Sequence, residues 1–236
     1  PENAPAIAEI CTRLDGLPLA IELVAPAIRV LPPAELAERV RERLSVFVGD
    51  VDLPERQRTL TATIDWSHGL LDERERRALA RLSVFVGGFT LEAAEAVCAD
   101  ADEPDVLQRL ASLVDKSLVV AGEDVAGRPR FWLLETVQAY AEAKLRERGE
   151  TEEAYRRHAA FFIEWSRVAG HAFRNASQRE WYPRIAADHP NVVAATGRAV
   201  VRGDIATGFD LFMPTWIYAM VTGENVDKLP YLEALY

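Results

Sequence analysis

Apolar residues recur at helical spacing along nearly the whole chain, and the places where that spacing breaks divide it into parts. Ile7, Ile10, Cys11 and Leu14 share one stripe, as an amphipathic helix requires. Within "RLDGLPLAIEL" (13–23), Gly16 stands where a positive φ can end that helix, and Pro18 suits the first turn of the next. Leu19, Ile21, Leu23 and Val24 carry the second helix inward, so the join reads as a tight helix–helix corner. Leu36, Val40, Leu44 and Phe47 mark a third stripe over 33–47, and the looser "VGDVDLPE" behind it gives the first boundary.

Two more helices are expected over 56–71 and 72–85, the second with Asp72 as its N-cap. After a "VGGF" turn, Thr90 caps "LEAAEAVCA", and "PDVLQRLASLVDKS" forms another helix. At Ser117 the period changes. Leu118–Ala121 and Arg130–Leu134 are short β-rich runs around a Gly-containing polar loop, which is a hairpin signal. Helix returns over Thr136–Arg146, completing a winged-helix-like unit over roughly 55–149. From Thr151 the pattern is helical again, with Gly203 ending one helix and Asp204 capping the next, the turn chemistry of stacked helix pairs. The expected fold is mainly α: a helical part over 1–50, a winged helix with its small hairpin over 51–149, and antiparallel helix pairs of the α-solenoid kind over 150–236.

Composition adds exclusions. The chain of 236 residues is 49% hydrophobic and 27% charged, as folded globular domains are. Its net charge of −10 disfavours a broad phosphate-binding surface. The apolar run Phe212–Val221, interrupted by Pro214, is too short to span a bilayer. Cys11 and Cys98 fit neither a disulfide framework nor a metal site. A cytoplasmic protein without membrane attachment is expected. The opening without Met and the finish at "YLEALY" suggest a piece of a longer protein.

Catalytic chemistry is missing from the pattern. No Gly-Lys pair exists to build a phosphate-cradling loop, and neither a nucleophile elbow nor a His-Glu-x-x-His helix is present. His68, His158, His171 and His189 have no partner spacing. "RGD" at 202–204 reads as a helix end and a cap, and "NAS" at 175–177 stands alone as a glycosylation match. Trp66, Trp165, Trp181 and Trp216 fall in apolar helical patterns and are expected in the core. Nor does the winged helix look like a DNA reader: residues 55–148 hold 13 basic and 17 acidic side chains, and the helix over 104–117 offers only Arg109 and Lys116 against Asp105 and Asp115.

"ICTRLDGLPLAIEL" resembles the GLPLA segment of the NB-ARC, or STAND-type, signal-transduction ATPases. "TLTATIDWSHGLLDERERRALARLSVFVGGFTLEAAEAVC", "LVDKSLV" and "RFWLLETVQAYAEAKL" are similar, in the same order, to segments of bacterial LuxR-type multidomain transcriptional regulators. The resemblance implies an ATPase core upstream, with its phosphate loop and Walker B acid outside this chain. It implies a helical lid, a winged helix and the start of a TPR-like sensor domain within it. The family's GLPLA proline lies near the adenine, which by resemblance makes Gly16, Leu17, Pro18 and Leu19 one wall of an ATP/ADP site. The family's Met-His-Asp maps onto Leu133, Leu134 and Glu135, and leucine cannot donate to a phosphate. That leaves Glu135 to cap the helix beside it.

The resulting expectation is the regulatory part of a nucleotide-dependent switch in a transcriptional regulator, not an enzyme as it stands and holding no metal. ATP or ADP would be held mainly by the upstream nucleotide-binding domain, not tightly by this chain alone. An inducer or protein partner would meet the helical repeats, and DNA would be read by a domain outside this chain. The alternatives are a winged-helix DNA-binding protein and a helical scaffold for protein partners.

Overall fold

The computed structural model describes residues 3–14, 16–46, 55–100, 105–125 and 127–223. Three helices come first: α1 (Ala4–Arg13), α2 (Pro18–Val24) and, after a 3-10 segment at Ala25–Arg29, α3 (Pro33–Val46). Then follow α4 (Glu55–Gly69), α5 (Glu73–Leu82), α6 (Leu91–Cys98) and α7 (Val106–Asp115). The hairpin β1 (Val120–Glu123) and β2 (Pro129–Trp132) precedes α8 (Glu135–Glu147). Two long helices, α9 (Thr151–Phe173) and α10 (Gln178–Val201), lead to α11 (Ile205–Phe212) and α12 (Trp216–Thr222), with a 3-10 turn at Met213–Thr215 between them. The fold is therefore mainly helical, with a small antiparallel sheet and a winged helix.

Side-chain caps set the helix starts where the sequence placed them. Asp72 accepts from the Glu75 backbone N–H at 2.8 Å while the Glu75 carboxylate accepts from that of Asp72 at 2.8 Å, a reciprocal capping box. Thr90, Asp105 and Asp204 each accept from the backbone N–H three residues on. Caps of this kind contribute about 1 kcal/mol each.

The hairpin forms in the register Val120↔Trp132, Ala121↔Phe131, Gly122↔Arg130, Glu123↔Pro129. Its strands lie about two residues nearer the loop than the sequence indicated. Ser117 takes a φ of 58°, and the backbone N–H groups of Leu118 and Val119 fold back onto the Leu113 carbonyl as a helix end. Leu118 and Val119 are consequently core residues, not strand residues. At the other end Leu134 leaves the strand to become the N-cap position of α8. Phe89 and Phe131 exchange backbone hydrogen bonds at 2.9 Å each, which adds the segment before α6 to the sheet edge.

Two buried clusters carry most of the packing. Ile10, Leu14, Ala20, Val24, Leu36 and Val40 pack with Trp66 of α4; the Leu44 side chain and Phe47 fall outside the described residues. The larger cluster runs from Ile64, Leu79, Leu82, Phe85 and Phe89 through Leu110, Leu113, Val137 and Leu145, and on without a break to Phe162, Val192 and Leu211. Trp165 and Trp181 are half-buried against each other, 6.4 Å between ring centroids. Trp216 departs from expectation at 38% exposed. It lies on an outward stripe with Ile205, Phe209, Met213 and Met220, where the apolar period marks the far face of the helix rather than the core.

Candidate functional site

The corner over 14–19 is built as its residues demand. Gly16 takes a φ of 64°, its N–H returning to the Cys11 carbonyl at 3.0 Å, and Leu17 closes onto Leu14 at 2.9 Å. Pro18 begins α2 at a position where no backbone donor is needed. Ala20, Leu23 and Val24 face inward, while Leu17 and Leu19 are half-buried and Gly16 and Pro18 are exposed. The corner is thus a surface feature on a packed base.

Leu134 and Glu135 lie elsewhere, at the junction of the hairpin and α8. Among the described residues no hydrogen bond or ion pair joins them to Gly16–Leu19. Helix α4 stands between the two groups: the Ser67 hydroxyl donates to the Leu23 carbonyl at 3.2 Å, and the Tyr140 hydroxyl of α8 donates to Asp65 at 2.7 Å. Glu135 does not cap α8, because it is the first helical residue itself, and the N-cap position belongs to Leu134, which has no side-chain acceptor.

The winged helix presents an unusual third helix. The exposed positions of α7 and its N-cap are Asp105, Leu107, Gln108, Ala111 and Asp115; none is a cation. Lys116 turns back to α5, its ammonium 2.6 Å from Glu75, which also accepts from the Ser112 hydroxyl. Arg109 is half-buried. In the wing, Asp124 accepts from Arg128 at 2.6 and 2.9 Å, and Val125 stands at the tip, 84% exposed. Lys116 and Arg128 are thus each tied to a neighbouring carboxylate.

The densest polar constellation lies where the winged helix meets α10, and the sequence did not single it out. Arg130 of β2 is buried and pairs with buried Asp188 of α10 at 2.8 Å. The same guanidinium donates to the carbonyls of Gly88 at 3.0 Å and Ala187 at 2.7 Å. Burial pushes the Asp188 carboxyl above its ordinary value, with Arg130 pulling the other way. Next to it, Asn191 accepts from the Val86 backbone N–H at 2.7 Å and donates to the Gly88 carbonyl at 2.9 Å. His158 of α9 sits 3.3 Å from the same Asn191 oxygen, and burial takes its imidazole down to about 3. The turn between α5 and α6 is therefore held by side chains from β2, α9 and α10 together. On the opposite side, buried Arg81 bonds Asp100 at 2.9 Å and Glu150 at 2.8 Å, joining α5 to the α8–α9 connection. A lone signal was available in the sequence: a basic residue, Arg130, inside an otherwise apolar strand.

Among the described residues no group of His, Cys, Asp and Glu is placed to hold a metal ion, and no helix is long and apolar enough to cross a membrane.

Residues 71–146 match the family of winged helix-turn-helix domains. The chain is 48% identical over 163 residues to a Mycobacterium tuberculosis protein named "Putative HTH-type transcriptional regulator Rv0890c", covering 68% of this chain and 18% of that protein. A Mycobacterium bovis protein named "Putative HTH-type transcriptional regulator Mb0914c" matches to the same extent. "Uncharacterized protein Rv0894" of Mycobacterium tuberculosis is 43% identical over 164 residues, covering 66% of this chain and 42% of that one. The chain therefore spans less than half the length of these relatives. No solved structure matches it.

Proposed function

We propose that this chain is the regulatory section of a larger transcriptional regulator, and that its winged helix is a packing module within it rather than the part that reads DNA. The observation that carries this reading is the third helix: its outward positions hold two aspartates, a leucine, a glutamine and an alanine, and Lys116 at its end is tied to Glu75. Duplex DNA draws most of its binding energy from cations neutralising phosphates. The names of the relatives support a role in transcription, and their greater length leaves room for a separate DNA-binding domain. In this reading the exposed corner at Gly16–Leu19 faces a nucleotide held by an upstream domain, as the GLPLA resemblance implies, and the chain itself does no chemistry. ADP- and ATP-bound states would then bias how the packed helices stand against that domain.

The second reading, a winged helix that binds DNA itself, has the match over 71–146 in its favour. A mobility-shift titration of this chain with a random-sequence duplex at low salt separates the two. No shift at micromolar protein is the expected result. A shift that weakens steeply as salt is added, and that is lost in Arg109→Ala, would overturn the proposal in favour of direct DNA binding.

A further inference from the structure

A cavity of about 690 Å³ opens between α9, α10 and the start of α11, within the size range of small-molecule sites. Its two ends differ chemically. Ala159, Ile163 and Ala195 form an apolar wall at one end. At the other, where the C-terminal turns of α10 run beside the start of α9, Tyr155 lies beneath two guanidinium groups: Arg198 at 4.3 Å and Arg202 at 4.9 Å from its ring centroid. The carboxylates around this end are already engaged. Glu152 pairs with Arg202 at 2.7 Å, Glu153 with Arg156 and Arg157 at 2.7 Å each, and Asp204 caps α11. Arg198 is different. It has no carboxylate partner among the described residues, one nitrogen donates to the Val84 carbonyl at 2.9 Å, and another is buried without any partner.

A buried guanidinium donor left unbonded is costly. Arg198 lines the cavity, and a turn of its guanidinium toward an anion there would satisfy that donor. We infer that this cavity binds a small organic anion, its carboxylate or phosphate meeting Arg198 at the Tyr155 end and its hydrocarbon lying along the alanines of α9 and α10. The position gives binding a consequence. Val84, which Arg198 also holds, begins the turn of the winged helix that Arg130 and Asn191 grip. An anion drawing on Arg198 therefore acts on the joint between the winged helix and the helices that follow. Binding itself stands apart from the regulatory reading above, and its test is independent of any DNA shift.

Calorimetric titration of the chain with benzoate and with phenyl phosphate, beside uncharged benzamide, tests the inference. At least one of the two anions is expected to bind at millimolar concentration or tighter, with benzamide at least about tenfold weaker, the worth of one charge-assisted hydrogen bond. The tighter anion identifies the head group. Arg198→Met, which keeps the stem and removes the donors, is expected to weaken binding about tenfold. If that variant loses its melting transition, Ala160→Trp decides, because it fills the cavity from an exposed rim position and leaves every charge in place. Failure of both anions to bind, equal binding of benzamide, or anion binding that survives Ala160→Trp would each overturn the site.

Discussion

Arg130 and Asp188, 58 positions apart in the chain, form an ion pair 2.8 Å long with both side chains almost wholly shielded from water. One comes from the wing and the other from α10, so the pair fixes the winged helix against the helices that follow it. A buried ion pair adds little net stability over an apolar pair of similar volume. Its geometric demand is what matters here, since the same guanidinium must also meet the carbonyls of Gly88 and Ala187.

Removing only one partner should be costly. Asp188→Ala leaves a buried guanidinium without its counter-charge and is expected to destabilise the chain by about 3–5 kcal/mol. The double change Arg130→Met with Asp188→Leu should recover most of that loss. Urea unfolding of the three chains measures both numbers. A single variant within about 1 kcal/mol of the parent would show that water reaches the pair in solution.

Gly170 gives a prediction whose sign opposes helix propensity. In a free helix, Gly→Ala stabilises by about 1 kcal/mol. Here a Cβ at position 170 would lie 2.0 Å from the backbone oxygen of Pro214, in the 3-10 turn packed on α9. Backbone cannot step aside as a flexible side chain can. Gly170→Ala should therefore lower the melting temperature, and a rise would mean that α9 and the turn are not in contact.

What the sequence made legible follows from the range of the forces involved. Local chemistry was readable: Asp72, Thr90 and Asp204 cap the helices that the periodicity proposed, and Gly203 turns the chain before Asp204 with a φ of 77°; the cap at Asp105 was not singled out. The strand ends were displaced because Leu118 and Val119 satisfy an α7 carbonyl, a preference that alternation alone does not express. The polar joint was hidden for another reason. Asp188, His189 and Asn191 sit in a helix that contains Pro183 and Pro190, and nothing in their own neighbourhood says which of them faces a strand nearly sixty residues back. The histidines showed no partner spacing in the sequence, and which of them are buried, as His158 and His189 fully are, is set by the packing of α9, α10 and α12. For the corner at Gly16–Leu19 the sequence conveyed the shape, and its ligand rests on resemblance.

Those two histidines set an acid limit on stability. Burial holds His158 at about 3 and His189 at about 4 in the folded chain, against about 6.5 when unfolded. The unfolded chain therefore takes up protons first as pH falls. Stability is intact above about pH 6.5 and is lost progressively below it, down to about pH 4 for His189 and about pH 3 for His158. Among the described residues His189 has no hydrogen-bond partner on either ring nitrogen, and its ring lies tilted 5.1 Å from that of Tyr218, so His189→Phe removes a titrating group without orphaning another. Between about pH 7 and pH 5 the variant should lose about 2 kcal/mol less than the parent. Equal losses in the two chains would show that His189 protonates freely in the folded state.

Pro18 separates the corner as a fold element from the corner as a binding wall. It is exposed, begins α2, and donates no hydrogen bond that the helix needs. Alanine is at home in the first turn of a helix, so Pro18→Ala should leave the structure in place. Its thermodynamic effect comes from the unfolded chain, which gains freedom, at a cost of roughly 0.4–1 kcal/mol. An adenine packed on the pyrrolidine ring would add a second effect, visible only in the protein that carries the upstream domain. There the same substitution is expected to weaken ATP or ADP binding, or to alter the preference between them, by more than the stability change explains. Thermal unfolding beside nucleotide titration of the longer protein measures the two effects separately. A small fall in melting temperature with unchanged nucleotide affinity would leave Pro18 as a helix start alone, and the GLPLA resemblance would then extend to shape but not to ligand.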